Sequence, residues 1–470
     1  MKTIYKTLLL LGLCALMPLQ AFAQGTRNMS IIRDTEIEED LKAWTQPIFN
    51  AAGLNPQAVD IILVQSPELN AFVAGGSNIF IYTGLIAATK NPGELLGVIA
   101  HETGHIAGGH LIRGREAMEY ASYEAILATL LGIGAGAIGG GDAGAAILRG
   151  GQGAAMSSYL SHSRTQESSA DQAGLRYLEA SGYNPTGLAS FMETLQDQEL
   201  LPQSQQNAYV RTHPLTRDRI ASLEAGVAKS NFLNQSYSPA MVDQFNRIRA
   251  KLIAFIEPQR VTWLYGEKDT SPAALYARAI AAYRRSEKDK ALSLINQLLA
   301  KEPNNAYAHE VRGQMLRDFG QISEAAAAYR KAIALKPNAA LIRIDLAQVL
   351  IEQAGKNGNA ALYAEAEKNL DQAVAKETRS GTIHRLYATL YGRQGQDAKA
   401  QYHLAEEAAL GGRTKEAQKL LTGAMAGLKP GTRDYRKAMD LKLYLDTKPK
   451  KDDDEDDEED EDERQEFGYN

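Results

Sequence analysis

The chain has 470 residues, 44% hydrophobic and 23% charged, enough for two or three domains with sizeable cores. Its net charge of −6 is concentrated in an unbroken acidic run at residues 452–463, and residues 24–447 are about neutral, so there is no basic face of the kind that nucleic acid requires. The only cysteine, Cys14, excludes a disulfide framework and a site built on several thiolates.

Lys2 and Lys6, the apolar residues 8–17 and Ala21-Phe22-Ala23 read as a secretory signal peptide, residues 1–23, cut after Ala23 and leading to the bacterial periplasm. The apolar run is too short for a stable membrane anchor. Leu13 stands before Cys14 where a lipidation signal wants a small residue. A first helix is expected between residues 24 and about 58, with Ile37, Leu41, Trp44 and Ile48 on one face. Residues 60–65 and 78–83 read as strands, and Gly75-Gly76 between them predicts a small antiparallel sheet. Asn91-Pro92 opens a helix running to about residue 118. The apolar, glycine-rich residues 125–155 have three readings: a mobile loop, a lid over a site, or a surface in peripheral contact with a membrane. They are too interrupted for a transmembrane helix. Helices resume over 156–179 and near Pro185, then again through Ile220 and Leu223, and residues 227–270 read as a connector with one more helix.

From about residue 271 to 447 the texture is that of helical repeats. Ala291 and Ala325 are 34 residues apart, as are Pro303 and Pro337, and Gly313, Ala325, Tyr329, Ala332 and Pro337 fall at the small, aromatic and proline positions of a tetratricopeptide repeat. Ala347 begins a third repeat, interrupted around residues 355–359. Ala388, Gly395 and Ala400 give a fourth, and Ala417, Ala424 and Pro430 a degenerate fifth. Small residues let paired helices approach, and each repeat buries a face against the next. Residues 448–470 read as a disordered, solvated acidic tail.

His101 and His105 lie four apart on a helical segment, which puts both imidazoles on one face where they can meet one metal ion. Glu102 follows His101 and is placed to take a proton from a water at the metal and pass it to a leaving amine. A catalytic zinc also needs a third protein ligand. The metzincin continuation fails, because Leu111 occupies the required position and His110 is out of register. A later helix offers Glu167 and Asp171, again four apart. One of these carboxylates can bind metal while the other orients a ligating histidine, and Ala170 allows close helix packing. His110 and His162 read as structural or near the site, and His309, His384 and His403 as histidines of the repeats without partner spacing.

His101-Glu102-x-x-His105, Glu167-x-x-Ala170-Asp171 and His213-Pro214-x-x-x-x-Arg219-Ile220, with Asn70-Ala71-Phe72 and Gly75-Gly76 ahead of them, resemble the M48 metallopeptidases. With the signal and the repeats, the chain is similar to periplasmic members of that family. The resemblance implies a mainly α fold: a zincin-like protease domain with a small β-sheet over residues 24–226, then an α-solenoid of tetratricopeptide repeats. It also implies one Zn2+ held by His101, His105 and Glu167, Glu102 as general base, and a catalytic or supporting role for Asp171. The strand near residues 79–82 would pair with an extended substrate. His213 has three readings: a donor to the reaction's oxyanion, a ligand that fills the open metal position, or a helix-start histidine. The implied function is an endopeptidase acting on unfolded or misassembled outer-membrane proteins, its repeats recruiting substrate or an envelope complex. The alternative is a chaperone or scaffold with a latent site.

Overall fold

The computed structural model describes residues 30–110, 164–199, 201, 206–355 and 358–447. The segment read as a signal peptide, the glycine-rich stretch 125–155, His162, the acidic tail and part of the interruption near residue 356 lie outside the described residues. The chain is mainly helical with one small sheet, and it divides into two units, Met1–Leu264 and Tyr265–Asn470.

The first unit begins with β1 (Ser30–Ile32) and α1 (Thr35–Ala51). Asp34 caps α1, its Oδ1 accepting from the Ile37 backbone N–H at 3.0 Å, and Ile37, Leu41, Trp44 and Ile48 form the buried stripe that the periodicity predicts. Next come β2 (Asp60–Gln65), β3 (Ala71–Ala74) and β4 (Asn78–Tyr82). The sheet order is β1-β2-β4-β3. β2 and β4 pair parallel, Ile62 opposite Phe80, which corrects the expected antiparallel pair. The antiparallel partner across Gly75-Gly76 is β3, Phe72 opposite Phe80, with both glycines at positive φ (66° and 89°). β4 is therefore hydrogen-bonded on both sides and cannot be the strand that accepts an added partner. Among the described residues the ends of the sheet are β1 and β3.

α2 (Thr83–Ala88) and α3 (Pro92–Ala107) pack on the sheet with α1, and α4 (Arg164–Ala180), α5 (Thr186–Glu199), α6 (Ala208–Thr212), α7 (Arg217–Val227), α8 (Pro239–Ile256) and α9 (Val261–Leu264) complete the unit. α3 stops at Ala107, short of the expected 118, because Gly108 caps it and Gly109 turns at φ 61°. The helix in the stretch read as a connector, α8, is a wall of this unit's core through Phe245, Ile248 and Leu252. Its Lys251 Nζ lies 2.6 Å from Asp34 Oδ2 and 3.3 Å from Glu36 Oε2, a buried ionic tie to α1. No helix among the described residues is long and apolar enough to cross a membrane.

The second unit stacks helical hairpins: α10 (Pro272–Arg284) with α11 (Lys288–Lys301), α12 (Ala306–Asp318) with α13 (Ile322–Leu335), α14 (Ala340–Ala354) with α15 (Ala360–Val374), α16 (Gly381–Arg393) with α17 (Asp397–Leu410), then α18 (Thr414–Gly427) and α19 (Arg433–Asp446). Ala279, Ala291, Ala325, Ala332, Ala347, Ala417 and Ala424 are fully buried at the small positions. At Gly313 a Cβ would sit 3.0 Å from the ring of the buried Tyr329, so the glycine makes room for the aromatic. His384 and His403, which show no partner spacing in the sequence, meet across α16 and α17 with Nδ1 atoms 3.2 Å apart.

Candidate metal centre

α3 starts where the sequence requires it. Asn91 Oδ1 accepts from the Glu94 N–H at 3.1 Å, Glu94 Oε2 accepts from the Lys90 N–H at 2.7 Å, and Pro92 occupies the first turn. α3 and α4 cross with almost no side chain between them. A Cβ on Gly104 would lie 2.8 Å from the Ala170 carbonyl oxygen, and one on Gly174 would lie 3.2 Å from the His101 nitrogen. That close approach, which Ala170 foreshadows in the sequence, sets Glu167 and Asp171 of α4 beside His101 and His105 of α3. His213 arrives from the end of α6, its N–H bonded to Tyr209 O at 2.7 Å and its ring 4.7 Å from the Tyr209 ring.

One ligand atom from each of His101, His105, Glu167 and His213 lies within 4.8 Å of the others, and all four residues are buried. His105 Nε2 is 3.1 Å from His101 Nε2 and 3.4 Å from Glu167 Oε1, and His213 Nδ1 is 3.4 Å from His101 Nε2 and 3.3 Å from Glu167 Oε2. Converging donors of this kind could bind a divalent cation. Glu102 is fully buried, and His213 Nε2 lies 3.4 Å from its Oε1.

Burial and neighbouring charge oppose each other at these groups. Burial opposes charging of His101, but contacts to Asp171 (2.9 Å from Nδ1) and Glu167 outweigh it and push the imidazole up to about 10. Burial raises the Glu102 carboxyl against the lowering effect of His213 and His101. Glu167 is held well below the usual carboxylate range: burial works against this, and the charge and hydrogen bonds of His213 and His101 prevail. Asp171 is also lowered, by Arg219 and His101 against burial.

The sequence brought His101, Glu102, His105, Glu167, Asp171 and His213 forward, and the fold gathers all six. Two more residues belong to the cluster. Arg219 appeared in sequence only as part of a motif. Its guanidinium donates from Nε to Asp171 Oδ2 at 2.7 Å and from Nη2 to Oδ1 at 2.9 Å, and its Nη1 lies 3.0 Å from Glu167 Oε2. His110 was read as structural or near the site, and its Nδ1 lies 2.9 Å from His105 Nδ1. The sequence signal for it is the Gly108-Gly109 pair that bends the chain back.

Residues 35–227 match the model of peptidase family M48, and residues 276–340 match that of a tetratricopeptide repeat. The chain is 29% identical over 387 residues to the beta-barrel assembly-enhancing protease of Escherichia coli (strain K12), covering 79% of this chain and 75% of that protein. It is 27% identical over 392 residues to the protein of the same name from Yersinia pestis, with the same two coverages. It is 28% identical over 215 residues to the metalloprotease LoiP of Escherichia coli (strain K12), covering 43% of this chain and 81% of that one.

Proposed function

We propose that this chain, which carries an M48 peptidase domain ahead of tetratricopeptide repeats, is a periplasmic zinc endopeptidase acting on misfolded or misassembled envelope and outer-membrane proteins. The observation that carries the reading is the convergence of His101, His105, Glu167 and His213 beside the buried carboxylate of Glu102. Three imidazoles and a carboxylate, with no sulfur, are a donor set suited to zinc. Bound there, zinc would supply Lewis acidity toward the scissile carbonyl and the attacking water.

The chain's own groups do the rest. Glu102, as the carboxylate, takes a proton from the water and returns it to the leaving amine, and burial, which raises its carboxyl, favours that transfer. Asp171, fixed by Arg219, holds His101 by its Nδ1 so that Nε2 faces the other ligands. An extended substrate would lie along β3, whose Ala71 carbonyl is 3.2 Å from His213 Nε2. The signal peptide read from the sequence supports the periplasm. The repeats, and the printed name of the relatives, support recruitment of substrates or a complex concerned with β-barrel assembly.

A second reading is favoured by the position of His213. Its Nδ1 stands among the other ligand atoms, where it would fill the position that a catalytic site leaves open. The chain would then work as a chaperone or scaffold whose protease is latent, whereas His213 turned toward the substrate would serve as an oxyanion donor.

The test is digestion of casein and of an unfolded outer-membrane protein by zinc-loaded wild type and Glu102→Gln, with product termini mapped. Internal cuts by wild type and none by the variant support the endopeptidase. Equal inactivity with intact substrate binding supports the scaffold.

A further inference from the structure

The two histidines of α3 present the same face to the ligand cluster. Each turns Nε2 inward, where the two atoms are 3.1 Å apart. That leaves each Nδ1 pointing away, and a ligand that gives Nε2 to a metal must carry its remaining proton on Nδ1 and place it somewhere. For His101 the group behind Nδ1 is the Asp171 carboxylate, with Oδ1 2.9 Å away. For His105 the group at that distance is another imidazole, His110, with Nδ1 facing Nδ1 at 2.9 Å and the rings 4.9 Å apart at 77°. Both residues are buried.

The contact is built by the backbone. Gly109 takes φ 61°, which turns the chain back on the end of α3. A Cβ on Gly108 would fall 2.5 Å from His110 Nε2, so the ring fits against α3 only because residue 108 has no side chain.

We propose that His110 is the positioning residue for His105: a neutral imidazole whose Nδ1 lone pair accepts the His105 Nδ1–H and so fixes the tautomer and ring angle that direct His105 Nε2 into the cluster. The inference rests on the reading that the cluster holds zinc. It separates the two histidines by the charge of their acceptors. Asp171 places a carboxylate behind His101, and His110 places an imidazole behind His105, so the two rings are held by acceptors of different charge.

The experiment uses the full chain loaded with zinc. Histidine-selective ¹⁵N NMR should show His110 as a neutral imidazole protonated on Nε2 and His105 protonated on Nδ1. Finding His110 protonated on Nδ1, or charged, overturns the proposal. Zinc affinity by chelator competition should fall about 10–100-fold in His110→Leu, which removes the acceptor. It should stay close to wild type in His110→Asn, whose Oδ1 can replace Nδ1 at the same reach. Circular dichroism and thermal melts of the metal-free variants check folding. Equal losses in Leu and Asn, or no loss in Leu, overturn the proposal. A wild type that binds no zinc at all overturns the metal reading itself and this inference with it.

Discussion

His101 and His403 are both buried histidines packed against other histidines, one in each unit, and their surroundings drive them in opposite directions. His101 has Asp171 2.9 Å from Nδ1 and Glu167 3.4 Å from Nε2, and is pushed up to about 10 in spite of burial. His403 is pushed down to about 2 by burial, and further by the charges of His384, Lys437 and Lys399. Its ring stacks on Tyr387 at 4.5 Å and faces His384, while the nearby carboxylates are taken: Glu406 by the Tyr402 hydroxyl and Glu407 by Arg385. Carboxylates available to the imidazoles make the first group a candidate metal centre, and their absence leaves the second a neutral element of a helix interface.

The largest effect expected is on the side of the comparison that carries chemistry. Glu102→Gln keeps the shape and removes the base, and should lower peptidase activity by about 10²–10⁴-fold or more with zinc content unchanged. Metal analysis beside the activity assay checks this, and a loss of zinc in the variant would mean that Glu102 supports the ligands instead. Next is Asp171→Asn, which takes away the charge behind His101. Zinc affinity should fall about 10–100-fold, read by chelator competition. Arg219 would trade its two-bond contact with a carboxylate for a single bond to an amide oxygen, beside its contacts to Glu167 and Pro214 O, so a partial fall in thermal stability should accompany the loss. An affinity equal to wild type would show that the carboxylate behind His101 is not what sets the two histidine groups apart.

The same contrast explains what could be read from sequence. His101 with His105, and Glu167 with Asp171, follow the i, i+4 rule, so one helix face announces each pair, and the order of motifs linked the two helices. Small residues at a 34-residue period gave the repeats for a similar reason: the signal is local and periodic. β3 escaped because Ala71-Phe72-Val73-Ala74 is four residues long, all buried, with no alternation to mark it. Missing it turned the parallel β2–β4 pair into an expected hairpin and misplaced the free edge of the sheet. His110 was read only as structural or near the site, because its contact with His105 depends on a glycine at φ 61°, and the His384–His403 pair escaped because it forms between helices of one hairpin, 19 residues apart.

The smallest effect lies in the repeats and follows from the sign of the His403 shift. An unfolded histidine titrates near 6.5, and folded His403 near 2, so below about 6.5 the unfolded chain binds a proton that the folded chain refuses. This group's full contribution is present above about 6.5 and is lost as the pH falls, with a limiting slope of about 1.4 kcal/mol per pH unit. His384, also lowered by burial, adds in the same direction. His403→Phe keeps an aromatic ring against Tyr387 and removes the titrating group. Its urea stability should be lower than wild type at pH 7.5, because His384 loses the facing Nδ1, and should fall less steeply between pH 6.5 and 4.5. Trp44 and Trp263 both belong to the first unit, so tryptophan fluorescence follows that unit while far-ultraviolet circular dichroism follows the helices of both. The change in slope should appear in the dichroism transition and not in the fluorescence transition. Parallel slopes for the two proteins would mean that burial among tyrosines does not keep His403 neutral, and the contrast with His101 would then need another cause.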